Sequence, residues 1–235
     1  MKIINFKNSM ITLAMLGLSC IAFGQQIKNK NVELDDLISL LRTAGYELFN
    51  FDISEMLNER YDIEFIQKEY EAGKEIATSI LTMVQNKMLL TDIPESYRQK
   101  LIDEGRVIDS KTQAISHAEK ISFGFYPSNN DTTKRMRLHV PGFITKPNIT
   151  FNLRGLASKN SDKLFYAYQT RPFKMSTFKE NEFIPLVLLG SVWYDERYNL
   201  FRFCGEIEID PDMSSEILKY VPHYYVVGVK FVKRQ

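Results

Sequence analysis

The alternation of apolar and polar positions gives the first structural information. From Ile184 to Tyr194 the chain reads Ile-Pro-Leu-Val-Leu-Leu-Gly-Ser-Val-Trp-Tyr, rich in β-branched and aromatic residues and bounded by Pro185 and Asp195, which favours a strand over a helix. Side chains alternate sides along a strand, so Leu186, Leu188, Val192 and Tyr194 are expected on one face and Val187, Leu189 and Trp193 on the other. Both faces are apolar, as in a strand covered on both sides. After the polar turn Asp195–Asn199, the residues Phe201, Phe203, Ile207 and Ile209 alternate with Arg202, Cys204, Glu206 and Glu208. That period predicts a second strand with one wet face.

The same period recurs through the back half. Ile121, Phe123 and Phe125 alternate with small or amphipathic residues, Met136, Leu138 and Val140 with Arg135, Arg137 and His139, and Ile149, Phe151 and Leu153 with Thr150, Asn152 and Arg154. Leu164–Thr170 and Tyr224–Val232 add strands, the last after a helical turn near Ser214–Tyr220. Upstream, Tyr46–Phe51 and Tyr61–Tyr70 read as strands, and Gly73 supplies a hairpin turn into a returning strand over Glu75–Leu81. A helix reaching Leu90 is the alternative there, because Ile76, Ile80, Val84 and Met88 keep helical spacing. A first helix is predicted over Glu33–Ala44, with Leu34, Leu37, Ile38 and Leu41 on one face and Gly45 as its stop. Pro94 opens a shorter helix to Ile102, ended by Gly105, inside a long loop or seam over residues 91–120. Roughly ten short strands with little helix between them predict a mostly β protein. The expected fold is an antiparallel two-layer β-sandwich with an N-terminal helix packed on it; a closed β-barrel is the alternative.

Composition adds an address. The 235 residues are 44% hydrophobic and 25% charged, ordinary globular usage that fits neither disorder nor a coiled coil. Lys2 and Lys7 precede an apolar run from Met10 to Phe23 that ends in Ala22-Phe23-Gly24, the pattern of a secretory signal peptide over residues 1–24. The run is shorter than the about 20 residues a spanning helix needs. This predicts an exported protein, periplasmic or extracellular, with a single β-rich domain over residues 25–235 and no transmembrane segment in the mature chain. Leu16-Gly17-Leu18-Ser19-Cys20 supplies an alternative, a lipoprotein anchored at Cys20. Removing the leader takes away two lysines and no acidic residue, so the formal charge changes from +1 to −1; such a chain has no field to attract nucleic acid. Cys204 is then the one remaining thiol, and no internal disulfide can form.

The search for chemistry is mostly negative. His117, His139 and His223 are far apart in sequence, and there is no His-Glu-x-x-His, Cys-x-x-Cys, phosphate loop or nucleophile elbow. Glu206 and Glu208 fall on one strand face about 6.6 Å apart, within the spacing of glycosidase carboxylates at about 5–9.5 Å, though alternate Glu residues also mark any solvated face. Arg135 and Arg137, with Lys134, His139 and Arg154, form a basic strip for an anionic ligand. Tyr166, Tyr168 and Trp193, joined by Tyr194, Tyr224 and Tyr225, offer flat rings on which sugars stack. Asp131, Asp162, Asp195 and Glu196, with Asn129, Asn130 and Asn160, supply loop oxygens of the kind that hold calcium, although Asp and Asn also serve simply as turn formers. No other cofactor is indicated.

The leader's ending Ala22-Phe-Gly-Gln-Gln, with Tyr61-Asp-Ile-Glu-Phe and Pro222-His-Tyr-Tyr-Val-Val-Gly-Val, resembles small secreted proteins of unknown function in Gram-negative gut anaerobes. The resemblance implies export and brings no catalytic residues with it. The expected function is that of a non-enzymatic binding or structural module with a glycan or protein partner. The alternatives are a hydrolase whose acidic residues come from separate loops, and a surface-assembly subunit.

Overall fold

Period-two stretches form strands at nearly every expected position. The computed structural model describes residues 30–158 and 161–234, without the side chains of residues 158, 161 and 162. The leader expected over residues 1–24, Cys20 within it, Asn160 and the Asp162 side chain lie outside the described residues.

Among the described residues there are fifteen strands: β1 (Glu47–Asp52), β2 (Tyr61–Glu71), β3 (Lys74–Gln85), β4 (Lys87–Leu89), β5 (Ala114–His117), β6 (Lys120–Pro127), β7 (Thr133–Val140), β8 (Ile144–Asn152), β9 (Leu156–Ser158), β10 (Ser161–Phe165), β11 (Tyr168–Pro172), β12 (Ile184–Ser191), β13 (Trp193–Asp195), β14 (Leu200–Arg202) and β15 (His223–Lys233). A four-stranded sheet in the order β1-β6-β7-β8 and a five-stranded sheet in the order β11-β12-β15-β2-β3 form the body, and three two-stranded pairs complete the set. Every ladder within the two large sheets is antiparallel. Neither large sheet closes on itself, so the architecture is a sandwich rather than a barrel.

Two units are distinguished, residues 1–38 and 39–235. Helix α1 (Leu34–Thr43) spans the division between them. It carries Asp35 and Asp36 in its first turn and Arg42 in its last, where the helix dipole favours them. None of its residues is buried; the stripe of Leu34, Leu37, Ile38 and Leu41 is exposed rather than covered as expected, and the helix rests on local propensity, its charges and the stop at Gly45. Helix α2 (Glu95–Asp103) begins after Pro94 and ends before the left-handed Gly105, as the sequence predicts.

Two apolar clusters flank the five-stranded sheet. The larger joins Phe123, Phe125, Met136, Leu138 and Phe151 of the four-stranded sheet to Ile63, Phe65, Leu189, Val227 and Phe231 of the five-stranded one. The smaller lies on the far face, where Leu188, Val192, Tyr224 and Val226 meet Phe203, Ile209, Ile217, Leu218 and Val221. Strand β12 is buried at all eight positions, the double covering its sequence requires. The irregular segment after β12 therefore acts as a third layer.

Pro185 changes the expected face assignment. Proline has no N–H for the ladder and sits best at a bulge, and the register with β15 shifts between Pro185 and Val187. Leu186 is the extra residue, so it joins Val187 and Leu189 in the larger cluster while Leu188 and Val192 face the smaller.

The partner strand of the expected hairpin is also shorter than its pattern. β14 ends at Arg202, and the chain turns out of extended geometry at Gly205, with φ +135°, a region that favours glycine. Phe203 and Ile209 are buried, but Ile207 is 80% exposed, so alternation fails beyond the break. Leu164–Thr170 likewise divides into β10 and β11, leaving Tyr166 in the connection. The ambiguous stretch is strand as far as Gln85 and again over Lys87–Leu89, with Leu90 opening a 3-10 turn; it is entered through Ala72 and Gly73 at φ 48° and 77°, the positive angles of a two-residue type I′ turn.

Gly228 stands opposite Pro185 in the ladder. A Cβ there would overlap the Ile184 carbonyl oxygen and come within 2.7 Å of the Phe183 ring. Backbone cannot swing aside as a side chain can, so Gly228→Ala is expected to lower stability by about 3 kcal/mol, read as a reduced urea midpoint at unchanged m.

Candidate functional site

The short β13–β14 hairpin, Trp193 paired with Arg202, Tyr194 with Phe201 and Asp195 with Leu200, forms one wall of a pocket of about 300 Å³. The turn Glu216–Lys219 and the bend at Gly205 form the other. Trp193 stacks on Tyr220 with ring centres 5.7 Å apart and planes at 25°, and it is tilted at 48° against Phe203 with ring centres 6.3 Å apart. Tyr220 is 58% exposed, so this aromatic platform is open to solvent. Opposite it, the Arg202 guanidinium lies 5.1 Å over the Tyr198 ring and donates to Asp195 at 2.6 Å.

Hydrogen bonds hold Asp195, Arg202 and Glu206 in place in the pocket. Asp195 also accepts the Arg197 N–H at 3.0 Å; the bond from Arg202 is the main cause holding its carboxyl below the usual range. Glu206 accepts the N–H groups of Glu216 and Ile217 at 2.8 and 3.3 Å, binding the bend to the turn, and hydrogen bonds from backbone N–H groups hold its carboxyl down as well. Cys204 is exposed and accepts from Arg202 at 3.2 Å. Glu206 and Glu208, expected on one strand face, lie beyond the end of β14 at Arg202, so the strand spacing expected of the pair does not apply.

A second polar arrangement lies between the ends of the two sheets. His223, 2% exposed, begins β15. Its Nε2 lies 2.9 Å from Glu69, and its Nδ1 lies 2.6 Å from the Tyr168 hydroxyl. Arg154 closes the circuit: its backbone N–H donates to the Tyr168 oxygen at 3.0 Å and its guanidinium reaches Glu69 at 3.4 Å. A carboxylate can only accept, so we assign the proton to Nε2, leaving Nδ1 to accept from Tyr168. Burial lowers the His223 pKa more than Glu69 raises it, so the ring is neutral, and burial pushes the Tyr168 hydroxyl up to about 12. The circuit pins β8, β11, β2 and β15 together.

The other residues singled out from sequence are dispersed. Tyr168 belongs to that circuit, and Tyr166 packs over Gly155. Tyr224 stacks on Tyr70 at 4.8 Å, and Tyr225 packs against Phe151 in the core. Arg135, Arg137 and His139 do alternate along the outer face of β7, but Arg135 is held over the Tyr126 ring at 4.9 Å and on the Pro127 carbonyl, and His139 on Thr145. Lys134 donates to the Gly45 carbonyl at 3.0 Å, and burial lowers its pKa. Asp131 is exposed in the β6–β7 loop, while Asp195 and Glu196 lie at the β13–β14 turn. Among the described residues, no three of His, Cys, Asp or Glu stand together to hold a metal ion, and no helix is long and apolar enough to cross a membrane.

The pocket joins Trp193 and Asp195, which sequence reasoning placed in different roles, to Tyr198, Arg202 and Tyr220, which it did not single out. Fold and site together define an antiparallel β-sandwich protein with an aromatic and ionic pocket on an outlying hairpin. The chain belongs to a domain of unknown function family, DUF5041, whose model matches residues 17–233. Comparison with curated proteins and with solved structures returns no match.

The His223 circuit yields a pH dependence. A ring whose folded pKa is depressed takes up a proton more readily once unfolded, where its ordinary value is 6.5, so its contribution is complete above that value and is lost as pH falls toward the folded pKa. Stability is therefore expected to decline just below pH 6.5, above the range where carboxylates titrate. Urea midpoints measured against pH should show this slope in the native protein and its absence in His223→Gln.

Proposed function

We propose that this chain is an exported binding module that recognises glycan through the pocket on the β13–β14 hairpin. The observation that carries the reading is the stacked Trp193–Tyr220 pair, open to solvent beside the Arg202–Asp195 pair. Aromatic faces take up the C–H faces of sugar rings, while charged groups already held in place meet hydroxyls with little reorganisation. A volume of about 300 Å³ lies at the low end for ligand pockets, ~300–1,000 Å³, and suits one or two sugar rings. Hydrolysis is the weaker reading. It needs one carboxyl kept protonated near neutrality, whereas Asp195 and Glu206 are both held below their ordinary values. The signal-like pattern of residues 1–24 supports export.

The test is a saccharide array probed with the purified protein, followed by titration of the best binder. Tyr220→Ala, at an exposed position that the core does not need, is expected to weaken binding roughly tenfold or more at unchanged thermal stability. Absence of saccharide binding by the folded protein, or equal affinity in the variant, would contradict the reading.

A further inference from the structure

The two large sheets have four edges, and three of them are closed to a further strand. β11 has five residues, ends at Pro172 and is followed by hydrogen bonds between Ile209 and both Pro172 and Lys174. β8 carries Lys146 and Pro147 and a left-handed Asn148 at φ 61°. β1 is six residues long with Glu47 and Asp52 at its ends. Short length, proline, lysine and irregular backbone are the usual means by which an edge avoids pairing.

β3 is different. It is twelve residues long, and from Ile76 to Gln85 it contains no charged residue and no proline. Ile76, Ile80 and Met83 are 48%, 61% and 58% exposed. Of the two charges at its start, Lys74 is exposed and Glu75 is directed inward, where it pairs with Lys68 of β2 at 2.9 Å and accepts from Tyr70 and Thr78. What remains is an edge of high β-propensity with apolar side chains beside it and no charge of its own after Glu75, although Lys146 of β8 donates to the Leu81 carbonyl toward its far end.

We propose that β3 pairs antiparallel with β3 of a second copy of this chain, joining two five-stranded sheets into one of ten strands. A two-fold axis perpendicular to the sheet maps each face onto itself, so paired residues must share a face. The β2–β3 register places Glu75, Thr78, Ile80 and Met83 opposite Tyr70, Lys68, Ile66 and Glu64, on one face, and Lys74 and Val84 opposite Glu71 and Ile63, on the other. An axis through Ser79 satisfies the condition: Thr78 meets Ile80 of the second copy, Glu75 meets Met83 and Lys74 meets Val84. No charge then opposes a like charge, and Thr78 and Glu75 cover the exposed Ile80 and Met83. The unmatched residues Ile76 and Leu81 fall opposite Thr82 and Ala77 without disturbing that order.

The experiment is sedimentation and disulfide trapping of the full chain with Cys20 and Cys204 replaced by Ser. The protein should associate to a dimer as concentration rises, and Ile80→Lys should return it to monomer with unchanged circular dichroism. The two Ser79 α-carbons would stand about 4.5–5.5 Å apart, within disulfide reach, so Ser79→Cys should oxidise to a covalent dimer. The two Lys74 positions would be roughly 30 Å apart, so Lys74→Cys should not. A monomer at every concentration, a dimer that survives Ile80→Lys, or trapping by Lys74→Cys in place of Ser79→Cys would overturn the proposal.

Discussion

Strands β12 and β15 have no polar face, and this constraint orders everything around them. Paired at the centre of the five-stranded sheet, they present Leu189, Val227 and Val229 to one side and Leu188, Tyr224 and Val226 to the other. Covering a Val, Leu or Phe side chain contributes about 1.5–3 kcal/mol, so both sides must be packed. The four-stranded sheet covers the first. The second is covered by the segment from Trp193 to Val221, held by apolar contact rather than by a long ladder.

That covering layer also produces the candidate site. Because its strands are only three residues each, its backbone can bend at Gly205 and turn at Glu216–Lys219, bringing Tyr220 onto Trp193. The carboxylate of Glu206, accepting backbone N–H groups of the turn, ties the two bends together. Phe203 and Ile217, which line the layer's inner side, belong to the core, so the pocket's floor is as firmly placed as the sheet beneath it. Inward apolar contact and outward aromatic display are two faces of one segment.

Much of the sandwich was legible in the sequence because its evidence is local. Met136, Leu138 and Val140 alternate with Arg135, Arg137 and His139, and β7 buries and exposes them accordingly. The double-sided run at β12 likewise announced a strand with two coverings. What remained hidden depends on contacts distant in sequence. The bulge at Leu186 follows from fitting Pro185 against β15, which the local alternation does not contain. The period from Phe201 to Ile209 reads as one strand because side-chain type says nothing of the left-handed turn at Gly205. The leucine stripe of α1 has the spacing of a buried face, yet spacing supplies no partner. The site was half visible: Trp193 was one of several rings read as a flat platform for sugars, while Tyr220, at the end of an expected helical turn, has no local mark linking it to Trp193. His223, set aside for want of a metal motif, proved to be the buried centre of a circuit whose other members lie in β2, in β11 and in the segment that follows β8.

Native-state hydrogen exchange tests the central claim most directly, because amides in a strand covered on both sides open only with global unfolding. The slowest exchange is expected at Val187–Leu189 and Val226–Val229, with free energies equal to that of global unfolding, and faster exchange in the β13–β14 hairpin. Exchange at β12 and β15 as fast as in that hairpin, under conditions where β6 and β7 remain protected, would contradict it.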